Sequence, residues 1–182
     1  MQEKTNGSNY QEQKKLKPKP EDVIQASLKE NMKQDALDFV AFVKSLRMNP
    51  QWASTNSWAF TYKSKRVGYI KINDNIGDWE VWLYAQYDDN FNALVSKEND
   101  DVKDYFLNNI YYCFNCSACT PGKDIVFLGK ELKNVCATPV IRVKNPNYSF
   151  LEFGKRLIDL RRSDIAENKV PKVTYIAIKN RK

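Results

Sequence analysis

Histidine is absent from all 182 residues. That one absence removes Ser-His-Asp triads, Cys-His pairs, His-ligated haem and histidine general bases, leaving carboxylate, Lys, Tyr or Cys chemistry among the common catalytic sets. No apolar run approaches the roughly 18 residues that a membrane-spanning helix needs. The opening stretch, MQEKTNGSNYQEQKKLKPKP, lacks the apolar centre of a secretory signal. No G-x-G-x-x-G, P-loop or H-E-x-x-H pattern occurs, and no internal repeat. A cytoplasmic chain with no membrane partner is the expectation. In that compartment thiols stay reduced, and clustered cysteines bind metal more often than they pair.

Core-forming residues are plentiful. Four Trp, nine Phe and ten Tyr supply a hydrophobic core for one domain of roughly 150 residues, so no metal is needed to replace missing hydrophobic mass. The net charge of +7 is unevenly spread. Residues 1–20 carry five lysines against Glu3 and Glu12, and the end from Glu152 onward is also basic, whereas the body between is close to neutral. Excess charge at the ends favours loose electrostatic association over specific nucleic-acid recognition. Residues 1–20 read as a disordered basic tail, too polar to offset the entropy of ordering. Residues 21–182 read as a single domain.

Within that domain, Val23, Ile24 and Leu28 suggest a short helix. Ala36, Leu37, Val40, Val43 and Leu46 then recur at helical spacing until MNP at 48–50 stops them. Three strands of an antiparallel meander follow in SWAFTYK, RVGYIKIN and DWEVWLYA. Parity places Gly68, Ile70 and Ile72 on the core face and Val67, Tyr69 and Lys71 on the other; Trp79, Val81 and Leu83 likewise oppose Glu80, Trp82 and Tyr84. ENDDVKDYFLNNIYY predicts a middle helix with acidic residues in its first turn. DIVFLGK and TPVIRVK predict further strands, and NPNYSFLEFGKRLIDLRR a closing helix with Asn145 as N-cap and Pro146 next. KVTYIAIK could form a last edge strand. The expected class is α+β, a meander packed with N-terminal, middle and C-terminal helices.

The one strong chemical signal is CFNCSACTPG followed by LKNVCATP: Cys113, Cys116, Cys119 and Cys136 in C-x2-C-x2-C-x16-C spacing. Four thiolates can close a tetrahedral zinc site. The double-stepped x2 spacing with a remote fourth cysteine also suits an iron–sulfur cluster, although the proline that follows the remote ferredoxin cysteine is missing after Cys136. Metal-free cysteines or disulfides are the third alternative. Four filled positions leave none for a catalytic water, so a zinc here would be structural and would fix the loop 113–136.

Other candidates are less specific. Asp88, Asp89, Asp100, Asp101 and Asp104 fit a polar loop and helix start better than a magnesium site. Tyr69, Trp82 and Tyr84 could floor a pocket for a small ligand, or form a second layer of core. Lys155, Arg156, Arg161 and Arg162 could grip phosphates, or line a solvated helix face.

The segments W…YKSKRVGYIKI…WEV, the cysteine knuckle, LGKELKNVC and NPNYSFLEFGKRLIDLRR together resemble small uncharacterised bacterial proteins in which a hairpin precedes a Cys-rich loop and a G-K-E…N-V-C segment. More distantly they are similar to YdhG-type α+β domains of unknown function. The likeness covers about residues 33–164 and is most specific over 113–136. It implies one domain with a metal-type loop and no activity. The expectation is therefore a non-enzymatic binding module for a small molecule or protein, with structural zinc. An iron–sulfur redox protein, or a nucleic-acid-binding accessory protein using the basic termini, is the alternative.

Overall fold

The computed structural model describes residues 6–114, 121–136 and 141–170. The described elements are α1 (Asn6–Leu16), α2 (Pro20–Ser27), α3 (Glu30–Ser45), β1 (Gln51–Ser54), β2 (Ser57–Tyr62), β3 (Lys65–Asn73) and β4 (Asp78–Leu83). There follow α4 (Asp89–Ser96), α5 (Asp100–Asn108), β5 (Lys123–Phe127), β6 (Lys130–Val135), β7 (Ile141–Lys144) and α6 (Tyr148–Ala166). A five-stranded sheet runs β1-β2-β3-β4-β7, and β5 and β6 form a two-stranded sheet. This is the α+β class that the sequence predicts. Among the described residues no helix is long and apolar enough to cross a membrane. The predicted edge strand in KVTYIAIK lies outside the described residues. The chain divides into two units, residues 1–81 with 143–148 and residues 82–142 with 149–182.

In the first unit, Pro20 opens α2 with Glu21 and Asp22 in its first turn, where proline costs no hydrogen bond and the helix dipole favours acid. Ile24 and Leu28 are buried one turn apart. Helix α3 buries Ala36, Phe39, Val40 and Val43, and Phe39 meets Phe60 and Trp79 edge-on at 6.3 and 6.2 Å. Strands β2 and β3 pair antiparallel with Trp58 opposite Ile70 and Phe60 opposite Gly68, but the next pair is Thr61 with Arg66. Val67 is the extra residue of this bulge. It is fully buried rather than following Tyr69 and Lys71 to the other face, because a bulge resets the parity of the strand.

Two other expectations are corrected in this unit. Residues 6–16 of the predicted disordered tail form α1, and Gln13 fastens it. The Gln13 amide donates to Asn56 Oδ1 at 2.6 Å, and its carbonyl accepts from the Asn56 backbone N–H at 2.9 Å. Trp58 Nε1 donates to the Pro18 carbonyl at 2.7 Å, so the following segment is held as well. Asn145 does not cap α6, which begins at Tyr148. It takes a positive φ of 45° and straps the start of β4: Trp79 N–H donates to Asn145 Oδ1, and Asn145 N–H to the Trp79 carbonyl.

In the second unit, Asp88 caps α4 by accepting from Phe91 N–H, and Asn99 caps α5 by accepting from Val102 N–H. Such caps satisfy donors that a helix start leaves open. The apolar faces of these helices bring Phe91 and Phe106 onto Phe127 of β5, with each pair of ring centres 5.3–5.4 Å apart. Phe153 of α6 joins Phe106 at 5.8 Å. A Cβ on Gly154 would lie 3.3 Å from Leu83 Cδ1, so this helix and strand approach closely.

Candidate functional site

Residues 110–113 form a short bridging segment in the second unit. Ile110 pairs antiparallel with Ile141, and Tyr112 with Val135. Cys113 N–H donates to the Asn134 carbonyl and Cys136 N–H to the Tyr111 carbonyl, both at 2.8 Å. These two bonds flank the Tyr112–Val135 pair, the pattern of a closely spaced antiparallel position. Cys113 and Cys136, 23 positions apart in sequence, thus stand two register positions apart on neighbouring strands. Cys136 is buried and Cys113 half-buried. Cys116 and Cys119 lie outside the described residues, and among the described residues no group of three or more His, Cys, Asp or Glu side chains could hold a metal.

The ladder is reinforced by Asn134, which occupies the left-handed region at φ 56°, a conformation asparagine tolerates better than most residues. Its side-chain amide donates to the Cys113 carbonyl at 2.6 Å, and its backbone N–H donates to Asp124 Oδ1 at 2.9 Å. That bond, then the Lys133 ammonium, holds the Asp124 carboxyl below its usual range. Gly122 closes the other side. A Cβ there would fall 2.3 Å from Asn134 Oδ1 and 2.6 Å from Cys113 Cβ, so only glycine fits. Burial foremost, and then the Cys136 thiol and Tyr112 phenol, push the Tyr87 phenol well above its ordinary value.

On the adjoining strand, Arg142 donates its backbone N–H to the Asn109 carbonyl at 3.3 Å. Its guanidinium carbon lies 3.8 Å from the Trp82 ring centre and 3.6 Å from that of Tyr111. The planar cation therefore has an aromatic ring on each face, the arrangement favoured by the ring quadrupole. Phe114 meets Tyr111 edge-on at 5.9 Å and 89° and is 67% exposed. Alternation in VIRVK puts Arg142 between buried Ile141 and Val143. That signal was available in the sequence, but the two rings come from distant segments and were not.

Of the three aromatic residues read as a ligand floor, Tyr69 belongs to the first unit and Trp82 and Tyr84 to the second. Trp82 carries Arg142. Tyr84 is 9% exposed and belongs to the core. Tyr69, in the first unit, is half-buried under Arg66, whose guanidinium carbon is 4.5 Å from its ring centre. Of the basic residues on α6, Lys155 pairs with Glu152, Arg162 with Asp159, and Arg156 with Glu98 through two bonds of 3.2 and 2.6 Å. Arg161 is buried at 5% exposure. These are the placements of a helix surface and its underside. No protein-family model, curated protein or solved structure matches the chain.

Proposed function

We propose that this protein is a binding module without catalytic chemistry of its own, in which zinc held by Cys113, Cys116, Cys119 and Cys136 orders the segment 113–136. The observation that supports the reading is the register of Cys113 and Cys136. Diagonal positions of such a ladder lie roughly 7–8 Å apart, a span that one metal ion can close with side-chain adjustment. The C-x2-C-x2-C spacing supplies the other two ligands. Four thiolates fill a tetrahedral zinc and leave no position for an activated water, so the metal is structural. Its mechanical role is to hold the ladder whose Tyr111 covers one face of Arg142. The protein serves a small molecule or protein partner in a reducing, cytoplasmic setting, where the thiols remain available to metal.

Metal analysis of the anaerobically purified full chain tests this. One zinc per chain, lost on Cys136→Ser, is the expected result. Iron with sulfide in equal amounts would make it an iron–sulfur protein, and four oxidised cysteines without metal would remove the site.

A further inference from the structure

We infer that Arg142 is the anchor of a binding site for small oxyanions that carry a flat apolar body. Both faces of the guanidinium are covered, by Trp82 at 3.8 Å and Tyr111 at 3.6 Å, and its Nε is buried with no hydrogen-bond partner. What remains of its donor capacity is the in-plane edge formed by the terminal nitrogens. Among the described residues no carboxylate pairs with Arg142, whereas Arg156 and Arg162 each hold one. An arginine clamped between rings has little rotamer freedom left to lose, so its fork is pre-organised for the two parallel bonds that a carboxylate or phosphate accepts. A structural cation with no anion leaves that charge unanswered; a ligand anion answers it.

The apolar half of the ligand follows from the next residue in the cluster. Phe114, standing on Tyr111, exposes 67% of its surface. An exposed ring standing on Tyr111, which itself stacks on the Arg142 cation, suits a molecule that pairs its anionic group with Arg142 and lays an aryl or similarly flat body against Phe114. This inference rests on reading the chain as a binding module, but not on the metal.

The test is a titration of the protein as purified, at constant ionic strength, with acetate, inorganic phosphate, benzoate and phenyl phosphate. The Arg142 Nε–H and Trp82 indole N–H signals are followed by nuclear magnetic resonance; burial slows exchange of the first with water. Saturable shifts of both are expected, with the aryl anions binding more tightly than acetate or phosphate. Arg142→Lys keeps the charge but loses the fork, and should weaken binding about tenfold or more. Phe114→Ala should abolish the advantage of the aryl forms and leave acetate and phosphate unchanged. No saturable shift with any of the four, or a general drift of surface signals, would overturn the anion site. Equal affinity for aryl and simple anions would overturn the apolar half. The metal content of the same sample separates the two readings: saturable binding without zinc refutes the zinc site alone, and zinc without binding refutes this one alone.

Discussion

Gln13 and Asn56 lie 43 residues apart and hold each other through two hydrogen bonds, the Gln13 amide to Asn56 Oδ1 and the Asn56 N–H to Gln13 Oε1. Gln13 Oε1 also accepts from Trp52 Nε1 at 3.3 Å. One polar side chain thereby joins α1 to the turn between β1 and β2. Asn56 is only 4% exposed, so removing its partner leaves a backbone donor shielded from water. Gln13→Ala should destabilise the protein by about 1–3 kcal/mol, measured as a lower urea midpoint with an unchanged slope. An unchanged midpoint would mean that α1 adds nothing to the fold.

The Phe91–Phe106–Phe127 cluster gives a contrast with the Arg142 stack. Phe127 is fully buried, and Phe127→Ala should cost about 3–5 kcal/mol. Trp82 is half-buried, so Trp82→Ala should cost less, on the order of 1–2 kcal/mol, from lost cation–π attraction and part of its packing. Paired chemical denaturation of the two variants checks the order. A Trp82→Ala loss equal to that of Phe127→Ala would place Trp82 in the core.

Gly122 should tolerate no side chain. The Cβ of Gly122→Ala would meet Asn134 Oδ1 and Cys113 Cβ, forcing apart the ladder that joins Cys113 to Asn134. Lowered zinc retention is expected, together with a loss of stability of about 1–3 kcal/mol. Retention equal to the parent chain would show that this approach has no bearing on the site.

Asp78 should govern part of the acid response. The Lys144 ammonium at 2.6 Å and the Asn145 amide at 2.8 Å hold its carboxyl below its ordinary value. A carboxyl whose folded pKa is depressed contributes its stability above the unfolded value, about 3.9, and loses it as pH falls through the folded value. Asp78→Asn should therefore lower stability at neutral pH and flatten the decline below about pH 4. Thermal midpoints of both proteins across that range decide it; parallel curves would exclude Asp78 as a contributor.

Much of the fold was legible because alternating and helical periodicities report burial directly. Trp79, Val81 and Leu83 face inward, and Ala36, Val40 and Val43 line α3 as their spacing predicts. Phe39 was missed on that face although it packs between Phe60 and Trp79. Val67 defeated parity because one extra residue in a strand is invisible to a period of two. The structure of α1 was hidden for a different reason: its composition is polar, and its anchor is a single glutamine whose partner is far along the chain. The same limit applies to the candidate site. Spacing alone grouped the four cysteines, but only the register of residues 111–113 beside 134–136 relates Cys113 to Cys136, and only tertiary structure places Tyr111 and Trp82 on the two faces of Arg142.

The central claim is that metal bound by the cysteines holds this ladder in register. Residue-resolved hydrogen exchange, before and after zinc is removed by a chelator, tests it most directly. The Cys113 and Cys136 amides, which donate to Asn134 and Tyr111, should lose protection, while the paired amides of β2 and β3 keep theirs. Unchanged protection at Cys113 and Cys136 would contradict the claim, because the ladder would then stand without metal.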